Sequence, residues 1–200
     1  SHHFFNISNK SIFTHVKLNI FPDGGVARLR IFGELVVKKL KSKKINLTSV
    51  FNGAAPIACN NEHFGKAENI LAPGRGINMG DGWETRRKRG SGHDYLILKL
   101  GKLGRIKKVD VDTSFFNGNQ PNKVSLQACI SKQNLPNKKT KWITILNRKK
   151  TKPNSHHFFN ISNKSIFTHV KLNIFPDGGV ARLRIFGELV VKKLKSKKIN

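Results

Sequence analysis

The chain has 200 residues and a formal net charge of +27, from 38 Lys and Arg against 11 Asp and Glu. No apolar run approaches the ~18 residues of a membrane-spanning helix, and two cysteines, Cys59 and Cys129, are too few for a disulfide scaffold. The basic residues are mostly lysine, spread through stretches such as 38–44 and 138–141 without interleaved aromatics, so specific nucleic-acid binding is not expected.

Residues 1–46 recur letter for letter as residues 155–200. A period of this length is about one domain, far too long for a solenoid repeat. An identical copy is either very recent or a product of gene assembly. Each copy carries nine basic residues against two acidic ones, so the pair supplies more than half of the net charge. Unique sequence remains for one complete core.

In chain order, Val16, Leu18 and Ile20 alternate with His15, Lys17 and Asn19 before Pro22-Asp23-Gly24-Gly25, and Val26 to Phe32 alternates again. This predicts a strand, a tight turn and a strand, paired as a hairpin, because proline presets one turn angle and the glycines accept positive φ. Arg28 and Arg30 share one face of the second strand, opposite Ala27, Leu29 and Ile31. They and their C-terminal counterparts Arg182 and Arg184 form either an anion clamp or a charged outer face. Residues 35–46 read as a lysine-rich linker, and small and apolar residues resume from Leu47 to Cys59.

Further strands are predicted at Tyr95 to Leu100, Ile106 to Asp112, Val124 to Ile130 and Trp142 to Leu146, separated by Gly, Asn and Pro. Only short helical turns, near Glu62 to Ile70, are compatible with the periodicity. Many short strands with turn clusters indicate an all-β sandwich or jelly roll. Cys59 and Cys129 lie in apolar company, which favours reduced core thiols, and neither has the spacing of a zinc ligand. His2-His3 and its copy His156-His157 make no metal site, since adjacent side chains on a strand point to opposite faces. No metal and no cofactor is expected.

The stretch from Ile77 to Asp94, INMGDGWETRRKRGSGHD, sets Asp81, Glu84 and Asp94 beside Arg86, Arg87 and His93. Five of the eleven acidic residues, these three with Asp110 and Asp112, fall between positions 81 and 112. Carboxylates and a histidine move protons, and arginines hold an anion with forked donors. The alternative is a solvated loop with salt bridges. Asp112, Asn117 and Asn119 follow a predicted strand, where they either line a sandwich mouth or cap the loop through local backbone bonds.

The segments FPDGGVARLRIFGE, ACNNEHFG, NILAPGRGINMGDGWETRRKRG, GHDYLILKLG, IKKVDVDTSFFNGNQP and SLQACI together resemble the allantoicase family. The resemblance implies a jelly-roll β-sandwich of the galactose-binding-like type. It divides the chain into the closing strands of a first repeat (1–34, identical to 155–188), a linker (35–46) and a complete second repeat (47–200). It implies a cytoplasmic hydrolase of purine (allantoin) degradation, converting allantoate and water to ureidoglycolate and urea. The body of a first repeat does not precede residue 1 in this sequence, so the activity is expected to be weak or to depend on homo-oligomers.

In that frame the catalytic candidates are Glu84 or Asp81 for proton transfer or water orientation, with His93 and Asp94 as an auxiliary pair. Arg86 or Arg87 is the candidate for the substrate carboxylate, with Asp112, Asn117, Asn119, Arg182 and Arg184 as further substrate-binding residues. No specific nucleic acid and no membrane is expected as a partner. The sequence departs from the family pattern at Tyr95, at Asn122 and at Asn61, the last two each replacing a charged residue. The alternative function is a non-catalytic galactose-binding-like sandwich that binds small anionic or carbohydrate ligands.

Overall fold

The computed structural model describes residues 2–9, 11–13, 15–33 and 44–190. It divides into two units, residues 1–41 and 42–200. In the first, residues 2–33 contain no strand where they are described, and Val16, Leu18, Leu29 and Ile31 are exposed. The second unit holds ten strands: β1 (Lys44–Asn46), β2 (Ala55–Cys59), β3 (Trp83–Glu84), β4 (Asp94–Asp112), β5 (Lys123–Cys129), β6 (Ile143–Lys150), β7 (His156–Asn160), β8 (Phe167–Phe175), β9 (Gly179–Val180) and β10 (Arg182–Leu189).

Strand β4 organises the sandwich. Its first half, residues 94–99, pairs with β2 on one edge and with β8 on the other, and β5 and β6 follow beyond β8. Its second half lies between β10 and β7, with β1 beyond β10. The predicted strands 95–100 and 106–112 are therefore one 19-residue strand, which carries the chain from one sheet to the other through the Gly101–Gly104 bend. Both sheets contribute to a single core: Leu96, Leu98, Val124, Leu126, Val170 and Leu172 from the first, Ile106, Val109, Val111, Leu183 and Ile185 from the second. Each such side chain contributes about 1.5–3 kcal/mol by leaving water.

The expected hairpin is not formed. β8 has both edges occupied, by β4 and β5, and β10 has both occupied, by β4 and β1. Neither has a free edge for the other, so residues 176–181 arch from sheet to sheet. Gly178 is required there: its φ is +127°, and a Cβ would approach the Asn119 carbonyl oxygen to 2.7 Å.

Of the segment read as a linker, Lys44–Asn46 form β1 on the edge of β10, while 35–43 lie outside the described residues. The helical turn near 62–70 is a 3-10 turn over Ala67–Leu71. Its entry is held by Glu62, which accepts from Ala67 N at 2.9 Å. Cys59 and Cys129 are free thiols, and burial pushes Cys129 up to about 11.

Candidate active site

β3 is short but held on both edges. It pairs with β9 through Trp83–Val180 and Glu84–Gly179, and on its other side the Glu84 N–H donates to the Gly65 carbonyl at 3.2 Å. Trp83 is fully buried and donates through Nε1 to the Asn61 carbonyl at 2.9 Å. Burial alternates along the segment: Trp83 and Thr85 are inside, Glu84 is half-buried and Arg86 is exposed. Glu84 and Arg86 are thus less buried than the residues that precede each of them.

The Glu84 carboxylate accepts from Asn119 Nδ2 at 2.7 Å, and among the described residues it has no cation within ion-pair distance. Arg86 lies with Nη2 3.3 Å from His63 Nδ1, and its backbone N–H is held by Asn61 Oδ1 at 3.2 Å. Arg87 is also exposed.

Asp81 is engaged differently. Its Oδ2 lies 2.6 Å from Arg182 Nη2 and accepts from Ile77 N at 3.0 Å, while Arg182 Nη1 reaches the Asp81 carbonyl. Arg182 is buried and locks the 77–82 loop onto β10. Arg184 spends its guanidinium on the carbonyls of Ile70, Ala72 and Gly74. Two arginines on the outer face of β10 thus clasp the 70–82 loop, and the face they occupy is covered by that loop.

His93 and Asp94 take separate partners. Asp94 is fully buried, with Oδ1 3.0 Å from Lys88 Nζ and 3.0 Å from Asn60 Nδ2. His93 packs tilted against Phe175 at 4.7 Å between centroids, with Nε2 3.2 Å from Asn173 Oδ1. The Asn173 amide nitrogen is committed to Ser125 Oγ at 3.2 Å. Its oxygen, which only accepts, faces the ring, so Nε2 carries a proton. Lys88 is fixed from the arch, its N–H donating to Asp177 Oδ2 at 2.6 Å.

Asp112 Oδ1 accepts from Ser114 N at 2.8 Å, a local cap, and Oδ2 lies 3.7 Å from His156 Nε2. Asp110 is buried with His156 Nδ1 at 2.9 Å; burial pushes its carboxyl up, and the His156 bond pulls the other way. Asn117 is exposed at the tip of the following loop.

Among the described residues, three buried side-chain polar atoms have no hydrogen-bond partner: Asp94 Oδ2, Asn119 Oδ1 and Arg182 Nε. All three belong to residues singled out from the sequence. A buried polar atom left without a partner costs about 1–3 kcal/mol. Sequence reasoning missed His63, Asn60, Lys88 and Asn173 as neighbours of these groups. The first two stand in the ACNNEHFG segment, whose run of polar residues after a strand was the available signal.

The fold and the site define an all-β sandwich of the galactose-binding-like type, with a polar cluster beside the arch that joins its sheets. The chain belongs to the allantoicase repeat family, whose model matches residues 1–36 and 45–190. It is 45% identical over 196 residues to a protein named probable allantoicase from Photobacterium profundum, covering 94% of this chain and 59% of that one. It is 44% identical over 198 residues to one from Pseudomonas syringae pv. tomato, covering 94% and 60%. The chain thus spans about 60% of the length of these curated relatives.

Among solved structures, the allantoicase of Saccharomyces cerevisiae superposes with a TM-score of 0.66 at 38% identity, over 72% of this chain and 43% of that one. A family 32 carbohydrate-binding module of Clostridium perfringens NanJ, solved with galactose, superposes with a TM-score of 0.53 at 12% identity over 72% of this chain and 98% of the module. The second match speaks for the fold alone.

Proposed function

We propose that the chain hydrolyses allantoate to ureidoglycolate and urea, with Glu84 as the proton-transfer group. The reaction breaks a C–N bond at the carbon that bears two ureido groups and a carboxylate. Water supplies the new C–O bond, one of its protons is taken up, and a proton is returned to the nitrogen that leaves as urea. A single carboxylate can perform both transfers.

Glu84 suits that role because it is half-buried, oriented by Asn119 and has no cation beside it among the described residues. Asp81 and Asp94 are each tied to a basic residue, Arg182 and Lys88. Arg86, two residues beyond Glu84, holds the substrate carboxylate, since it is exposed and, among the described residues, its guanidinium is hydrogen-bonded only to the His63 ring nitrogen. The observation that carries the reading is the Glu84 carboxylate, half-buried, held by Asn119 Nδ2 at 2.7 Å and, among the described residues, without a cation at ion-pair distance.

The test is incubation of the 200-residue protein with allantoate over a dilution series, with urea and ureidoglycolate measured together. Equal yields above the uncatalysed rate, with specific activity that falls on dilution, are expected from an enzyme that works as an oligomer. Absence of urea at every concentration would remove the hydrolase reading and leave a ligand-binding sandwich.

A further inference from the structure

The loop at residues 61–65 closes on residues 83–86 through its main chain. The N–H groups of His63, Phe64 and Gly65 lie 3.0, 3.2 and 3.4 Å from the Glu84 carbonyl oxygen. Asn61 holds Arg86 N through Oδ1 and Trp83 Nε1 through its carbonyl. The bonds from His63 to Glu84 use only backbone atoms, which leaves the imidazole for another task. That ring is exposed, lies edge-on to Phe64 at 4.5 Å between centroids, and has Nδ1 3.3 Å from Arg86 Nη2.

We infer that neutral His63 is the positioning residue for Arg86: its Nδ1 accepts from the guanidinium and holds it ready for the carboxylate of the substrate. The inference rests on the assignment of that carboxylate to Arg86. A guanidinium only donates, so Nδ1 is the acceptor, and a ring that accepts through Nδ1 is neutral and carries its proton on Nε2.

A neutral acceptor does here what a carboxylate would not. Arg182 and Lys88 are held by the carboxylates of Asp81 and Asp94 at 2.6 and 3.0 Å, and each of those carboxylates cancels the charge of the cation it holds. Glu62, the carboxylate next to His63 in the loop, is committed to Ala67 N at 2.9 Å and Lys66 Nζ at 3.4 Å. An imidazole lone pair fixes the guanidinium without neutralising it, so Arg86 meets an anion with its full charge. An exposed arginine loses rotamer freedom when it binds a ligand, and a neighbour that orders it beforehand removes that cost. His63 therefore acts on affinity and leaves the chemical step alone.

The test uses the full chain and allantoate. His63→Ala removes an exposed side chain and keeps the backbone bonds of the loop, so its melting curve should match wild type. Its KM should rise about 3- to 10-fold, the cost of ordering one long side chain, with kcat unchanged. His63→Asn, whose Oδ1 stands on the same branch of the side chain as Nδ1 and accepts without titrating, should restore KM. In an Arg86→Ala background, His63→Ala should cause no further rise. A wild-type KM in His63→Ala beside a raised KM in Arg86→Ala overturns the inference and leaves Arg86 as the carboxylate holder. An unchanged KM in both removes the Arg86 assignment itself, and the inference with it.

A second measurement reads the pair without turnover. Heteronuclear NMR of the ring nitrogens should place the proton of neutral His63 on Nε2, and Arg86→Ala should move the Nδ1 signal. A proton on Nδ1, or an Nδ1 signal indifferent to Arg86→Ala, overturns the inference whatever the chain does with allantoate.

Discussion

The Asn119 side-chain amide donates a 2.7 Å hydrogen bond to Glu84 Oε1, joining the loop after β4 to strand β3 across 35 residues of sequence. A second bond fixes the same loop to the arch, with Gly179 N donating to the Asn119 carbonyl at 2.8 Å. Asn119 therefore sets the direction of the Glu84 carboxylate relative to the arch. Asn119→Ala should lower kcat roughly 10- to 100-fold, the scale of a misoriented catalytic group, with a near wild-type melting curve. Steady-state kinetics beside circular dichroism checks this.

Arg86 is exposed and lies two residues beyond Glu84. Arg86→Ala should raise KM about 10-fold or more while leaving kcat close to wild type, the pattern of lost ground-state binding. Arg86→Lys should recover only part of the affinity, because an ammonium lacks the forked donors that match a carboxylate. An unchanged KM in Arg86→Ala would assign the carboxylate to another cation.

Arg182 is buried against Asp81 and the loop carbonyls. Arg182→Ala should cost about 3–5 kcal/mol, as expected when one partner of a buried pair is removed. The double variant with Asp81→Ala should cost less than the sum of the singles. Chemical denaturation of the four proteins measures the cycle, and strict additivity would show that the pair is not coupled.

His169 sits 1% exposed on β8, with Nε2 3.0 Å from the Asn134 carbonyl and Nδ1 2.8 Å from Thr168 Oγ1. Burial holds its imidazole below the ordinary 6.5, against the opposing effect of the Asn134 bond. The unfolded chain therefore binds this proton at a higher pH than the folded one, and stability is lost as pH falls below 6.5. His169→Gln should flatten that part of the profile. Melting temperatures between about pH 5 and pH 7 would reveal it, and parallel profiles for the two proteins would contradict it.

Alternation made the long internal strands readable: Leu96, Leu98, Val109 and Val111 on β4, and Leu126 and Ala128 on β5, fall on the core face. β3 and β9 were not readable, since each has two residues and owes its ladder to a partner about a hundred positions away. β7 was missed because its residues alternate only between exposed and half-buried, which blurs the period-2 signal. The hairpin expectation failed because turn chemistry at Pro176–Gly179 specifies a reversal of the chain, while the free edges of neighbouring strands decide which strand it meets.

The candidate block at 81–94 was visible as a concentration of residue types. Its division of labour was not, because Asp81–Arg182 and Lys88–Asp177 join residues 101 and 89 positions apart. Only the fold showed that Asp81 and Asp94 are tied to cations while Glu84, among the described residues, is not.

The most direct measurement is the kcat for urea release from allantoate by Glu84→Gln, beside wild type and with folding verified by the melting curve. Glutamine keeps the size of the side chain and removes the proton-accepting oxygen. A fall of roughly 10²-fold or more is predicted, the scale of general acid–base catalysis, with KM changed little. A folded Glu84→Gln protein with wild-type kcat would contradict the assignment of proton transfer to Glu84 and the account of the site built on it.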